Sequence, residues 1–226
     1  MKYYVLKSSN NPKIIGNTEP VETYLPNEDW KYWSSDSFIT FPQEGTVNFN
    51  VKFPIFKLQN SARVTDLLRD TNTGFRSLLI SDRLFNCIRK FKLDENQAFD
   101  VKLLLKEEII TYKMVFFTSI KNDEYINFEE SIFRQECNPP KEKNVQYLSF
   151  NNSENYWKNR LNLHQIKSDQ SIKVDVLKLK NGNINHDIFR LDGIVNRIIV
   201  SEIVKNEILS QDITGIEFID LETYKE

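Results

Sequence analysis

One short pattern occurs twice in this chain. LLISDRLFNCIRKFKL runs from Leu78 to Leu93 and IIVSEIVKNEILSQDI from Ile198 to Ile213, with Ser81 and Ser201 120 residues apart. Each copy has three apolar residues, a Ser, an acid, then an apolar-periodic stretch ending on an aliphatic residue at the same offset from the Ser. Such a pattern predicts a buried strand end running directly into a helix. The Ser hydroxyl accepts from the free amides of the first turn, and Asp82 or Glu202 sits at the positive end of the helix dipole. A chain that does this twice is predicted to be α+β, with antiparallel-rich sheets, a few short helices and room for two similar strand–Ser-capped-helix–strand halves.

The remaining periodicities fill in strands. Lys2–Lys7 is rich in β-formers. In Thr46–Phe53 the residues Val47, Phe49, Val51 and Phe53 alternate with Thr46, Asn48, Asn50 and Lys52, which predicts a strand with one face buried. Ala62–Arg69 reads as a short helix. Phe99–Leu105 and Ile109–Ile120 read as a hairpin turning at Lys106–Glu108. Val145–Phe150, Ser171–Leu179, Ile184–Leu191 and Ile216–Leu221 complete the strand set, and the last follows a turn at Gly215. The chain is expected to form one domain over 1–226. If it divides into lobes, the break falls at Asn138-Pro139-Pro140-Lys141, giving 1–138 and 141–226.

Composition narrows the function classes. Thirty Lys and Arg against 32 acids leave a net charge of -2, without the basic excess of a general nucleic-acid binder. No apolar run approaches the roughly 20 residues needed to span a bilayer, and the first residues lack an apolar signal core, so a soluble cytoplasmic chain is expected. Cys87 lies on the stripe Leu84, Ile88, Phe91 and reads as a buried free thiol.

Sites of chemistry are scarce. With six Gly, neither GxGxxG nor a phosphate-binding loop occurs, and His164 and His186 stand outside any metal-ligand spacing, so no cofactor and no metal are expected. His186-Asp187 with Ser201 downstream resembles the parts of a hydrolase triad, but no GxSxG elbow is present and helix capping already accounts for Ser201. The surface-like constellation is Glu28-Asp29-Trp30-Lys31-Tyr32-Trp33, bounded by Pro26 and Ser34-Ser35. Glu28, Asp29, Trp30, Tyr32 and Trp33 fit a binding hot spot with acids for a basic partner. Equally, Trp30 and Trp33 at i, i+3 can fold back and plug the core.

The C-terminal third carries a resemblance. His186-Asp187-Ile188-Phe189-Arg190-Leu191, then Ile199-Val200-Ser201-Glu202, then Thr214-Gly215-Ile216-Glu217-Phe218 resemble the bacterial immunity proteins of polymorphic toxin systems, in the eleventh named immunity family. Upstream, Ile126–Phe133 resembles that family's aspartate–aromatic–x–x–Ser–x–Phe stretch, with Asn127 where an acid is usual. The resemblance implies a non-enzymatic protein that binds and neutralises a cognate secreted toxin. It also implies that Ser81, Asp82, Phe189, Arg190, Ser201, Glu202, Gly215 and Phe218 form the fold rather than contact the toxin. Two other readings stay open: a small cytosolic enzyme using His186 and Asp187, which needs a deep polar pocket containing His186, and an oligomeric binding module, which needs a self-complementary apolar patch.

Overall fold

A computed structural model describes residues 1–27, 30–42, 45–69, 77–118, 123–137, 145–166, 170–180, 182, 184–191 and 193–225. The strands and helices run β1 (Tyr3–Ser8), α1 (Pro12–Ile15), β2 (Val21–Leu25), β3 (Ile55–Leu58), β4 (Leu67–Leu68), β5 (Ser77–Ile80), α2 (Asp82–Ile88), β6 (Asn96–Leu105), β7 (Glu108–Phe117), β8 (Ile132–Cys137), β9 (Gln146–Leu148), α3 (Ser153–Ile166), β10 (Gln170–Val176), β11 (Ile188–Leu191), β12 (Arg197–Ser201), α4 (Glu202–Ser210) and β13 (Ile216–Asp220). They make three sheets, ordered β2-β3-β6-β7-β5-β4, β11-β12-β1-β13 and β10-β8-β9, in which only β3 and β6 pair in parallel among the described strands. The architecture is α+β.

The doubled sequence pattern has a doubled structure. Strands β4-β5-β7-β6 and β11-β12-β1-β13 share order and direction, and in each the helix follows the second strand and leads to the outermost one. They differ in connectivity: β7 follows β6 through a turn at Lys106, whereas the matching place beside β13 is taken by β1. Register matches as well. Leu67 pairs with Ile80 as Ile188 pairs with Val200. One step on, the Ser81 amide donates to Asp66 O and the Ser201 amide to Asp187 O, both at 2.8 Å. Strand β1 pairs with β12 and β13, and residues 138–141 lie outside the described residues.

Strand alternation builds three cores. Leu78, Ile80, Val115 and Phe117 from one sheet and Tyr4, Leu6, Ile198 and Val200 from the other close on α2 and α4, whose Leu84, Cys87, Ile88, Val204 and Ile208 are buried between them. The opposite face of the first sheet (Leu79, Val101, Leu103, Met114) is covered by aromatic residues from 24–56, and that of the second (Val5, Phe189, Leu191, Ile199) by β8–β10 and α3. Period-two side chains therefore feed two cores from each sheet.

Two expected elements differ from the structure, and one helix was not expected. Thr46–Phe53 has the expected burial, with Val47 buried, Phe49 and Val51 half-buried and Asn48 and Asn50 exposed, but it joins no ladder beyond one bridge, Ser37 to Lys52. Gln97 substitutes for a neighbouring strand: its Oε1 accepts from Val47 N at 2.6 Å and its Nε2 donates to Val47 O at 2.9 Å. Ala62–Arg69 is a loop entering β4 rather than a helix, since Asp66 and Leu67 bond to the chain around Thr214. The helix α3 carries little amphipathic signal. Asn152 caps it by accepting from Asn155 N at 2.8 Å, and it buries Tyr156 while leaving Leu161 61% exposed.

Candidate functional site

The aromatic segment climbs from the core to the surface. Trp30 N donates to Asn27 O and Ser34 N to Lys31 O, and Lys52 pairs with Asp36 at 3.2 Å. Ser34 and Lys52 hold the Asp36 carboxyl below its ordinary value. Trp30 is only 9% exposed, donates from Nε1 to Ser37 Oγ at 3.1 Å and stacks on Phe38. Tyr32 meets Trp30 edge-on at 6.0 Å, and Trp33 meets Tyr32 edge-on at 4.6 Å. Trp33 itself is 80% exposed. The i, i+3 tryptophans thus divide the two roles between them, Trp30 in the core and Trp33 outside. Glu28 and Asp29 lie outside the described residues.

A second feature lies at the far end of β11. A cleft of about 520 Å³ is lined by Lys2, Lys92, Lys178, Lys180 and His186, by the acids Glu130, Asp187, Asp220 and Glu222, and by Tyr3 and several apolar residues. Sequence reading singled out His186 but not Tyr125, whose hydroxyl lies 2.9 Å from His186 Nδ1. Burial raises the Tyr125 and Tyr3 hydroxyls above their ordinary pKa, helped by the charge of Glu124 on Tyr125 and of Asp187 on Tyr3. The cleft supplies the pocket that an enzyme using His186 needs, yet the proposed dyad is not formed. Tyr125 orients His186, while Asp187 is engaged by Ser201 Oγ at 3.3 Å and Lys92 N at 3.1 Å. Among the described residues, no three His, Cys, Asp or Glu side chains come together as a metal site.

Ser81, Asp82, Phe189, Arg190, Ser201, Glu202, Gly215 and Phe218 lie in strands, at helix starts and in one turn. Ser81 caps α2, accepting from Leu84 N at 3.1 Å while donating to Asp66 Oδ1 at 2.6 Å. Ser201 is fully buried and makes no side-chain cap; its hydroxyl goes to Asp187 instead, which corrects the expectation of two equivalent caps. Asp82 and Glu202 stand exposed in the first turns, Glu202 accepting from Tyr4 OH at 3.5 Å. Phe189 and Arg190 are buried, and Phe218 packs at the edge of the shared core. Gly215 has φ 81°, and a Cβ there would lie 2.4 Å from Thr65 Oγ1 and 2.6 Å from Leu67 O.

The model of one family, Immunity protein 43, matches residues 17–226. The chain belongs to this family. Its class agrees with the resemblance read from the C-terminal third, while the family is number 43 rather than number 11. The match takes in the Trp33 segment, the first helix-bearing half, the second half apart from β1, and every described residue of the cleft except Met1, Lys2 and Tyr3. No curated protein matches the chain. No described helix of this immunity-family protein is long and apolar enough to cross a membrane.

Proposed function

We propose that this protein binds a cognate bacterial protein toxin and neutralises it by occlusion in the cytoplasm of the producing cell, with Trp33 as the anchor of the contact. Membership of an immunity-protein family supports the class of function. The observation that supports the location is Trp33, a large ring 80% exposed yet braced by Tyr32. A side chain already held in place loses little conformational freedom on binding, and buried aromatic anchors dominate the energetics of protein interfaces. Tyr32 extends the apolar surface, and Glu28 and Asp29 precede it in the chain, where acids would steer a basic partner. Trp30 supports this surface from within rather than touching the partner.

The test is protection. A strain expressing the toxin domain encoded next to this protein should grow when the intact chain is co-expressed, and lose that protection with Trp33→Ala. Growth that requires His186 but not Trp33 would favour the enzyme reading, for which the cleft is the supporting observation.

A further inference from the structure

The two halves of the fold provide an internal comparison. In the first, the Asp–Ser end of the sheet is sealed. Tyr112, opposite Ser81 by register, donates to Thr65 O at 2.7 Å and is 4% exposed, and Arg83 covers Asp66. At the matching positions of the second half stand Tyr3, His186 and Ile203, and there the surface opens into the cleft. One backbone register is compatible with both outcomes, so the fold does not require the opening.

We propose that the His186 cleft is a binding site for a small phosphomonoester, with the phosphate held by Lys92, Lys180 and His186 and the organic body against Tyr3, Leu177 and Ile184. The size fits, since small-molecule sites span roughly 300–1,000 Å³ and this cleft holds about 520 Å³. Charge narrows the class to an anion. Lys2 is committed to Asp220 at 3.8 Å and Lys178 to Glu222 at 2.7 Å, whereas Lys92 and Lys180 have no acid partner among the described residues. Of the other two acids at the cleft, Asp187 is occupied by Ser201 and the Lys92 amide, and Glu130 is exposed. The cations of the described lining are all Lys or His. Lys ammonium groups bind phosphate as point charges, and Lys92 and Lys180 are the two such groups of the described lining left for an anion.

The Tyr125 hydroxyl lies 2.9 Å from His186 Nδ1 and steadies the ring at the cleft wall. Leu177, Ile184 and the Tyr3 ring supply apolar surface for the rest of the ligand.

Calorimetric titration of the full chain with adenosine 5′-monophosphate, ribose 5-phosphate and inorganic phosphate tests this. Saturable binding of at least one of the two organic phosphates, tighter than inorganic phosphate, is expected. In the Lys92→Ala/Lys180→Ala variant that binding should weaken roughly tenfold or more, as loss of charge-assisted hydrogen bonds implies, while Trp33→Ala should bind normally. Both lysines are exposed, so the variant folds, which its thermal transition verifies. No saturable binding of either organic phosphate, inorganic phosphate binding as tightly as both, or an unaffected double-lysine variant would each overturn the proposal.

Discussion

Replacing Asp66 with Ala should destabilise this protein far more than replacing Asp187, although the two occupy matching positions. Asp66 accepts five hydrogen bonds: from Ser81 Oγ at 2.6 Å, Arg83 Nε at 3.1 Å and Nη2 at 2.6 Å, and Thr214 N and Oγ1 at 2.8 and 2.9 Å. Thr214 belongs to the loop after α4, so this carboxylate ties the two halves together. Its side chain is 8% exposed, but that of Arg83 is 52% exposed and regains water when its partner is lost, so the ion pair itself is discounted. What remains is the loss of charged bonds from Ser81 and Thr214, a total of about 3 kcal/mol. Among the described residues Asp187 has two longer bonds, from Ser201 Oγ and Lys92 N, and no Arg partner, so its loss is worth about 1 kcal/mol. Urea unfolding at pH 7 with linear extrapolation measures both. Acid should erode the Asp66 contribution. Burial alone would push the Asp66 carboxyl up, but the bonds from Arg83, Ser81 and Thr214 prevail and hold it well below the usual carboxylate range. A depressed native pKa contributes stability that is present above the unfolded value, about 3.9, and lost as pH falls through the native one. The gap between the intact protein and Asp66→Asn should therefore narrow progressively below about pH 4. Equal losses for Asp66→Ala and Asp187→Ala, or a gap that widens in acid, would refute the reasoning.

Other outcomes follow from single positions. Ser81→Ala removes a helix cap as well as a bond to Asp66 and should cost about 1–2 kcal/mol in urea unfolding, more than Ser201→Ala, which loses one long bond. Gly215→Ala should lower the melting temperature much more than Gly182→Ala: both have positive φ, but only at Gly215 does a Cβ collide with Thr65 and Leu67. Trp30→Ala should cost about 3–5 kcal/mol as a core truncation, whereas Trp33→Ala should leave the melting transition unchanged, its ring being mostly in water.

The parts of the fold that were legible in the sequence are those set by local patterns. The Ser81 and Ser201 strand–helix junctions, the hairpin turning at Lys106 and the opening strand all rest on neighbouring residues. Partners distant in sequence were not legible. Nothing local shows that Asp66 faces Ser81, that Thr214 closes on Asp66, or that Asp187 takes the Ser201 hydroxyl away from capping. Alternation at 46–53 correctly gave burial but not hydrogen bonding, because a side-chain amide from Gln97 can stand in for a strand. The i, i+3 spacing of Trp30 and Trp33 was compatible with core and with surface, and Ser37 decides it by accepting the Trp30 indole proton inside. The cleft was the least legible feature, since its lining comes from five separate stretches, around Lys2, Lys92, Glu130, Lys180 and Asp220.

The affinity of the purified protein for the toxin domain encoded beside it, compared with that of Trp33→Ala, tests the account most directly. Truncating a central aromatic anchor typically costs about 2 kcal/mol or more. The account therefore predicts that Trp33→Ala binds at least about thirtyfold more weakly, chiefly through faster dissociation, while Leu161→Ala, an equally foldable change at an exposed apolar residue of α3, binds normally. Unchanged affinity of Trp33→Ala with a folded protein, or a loss shared by Leu161→Ala, would contradict it.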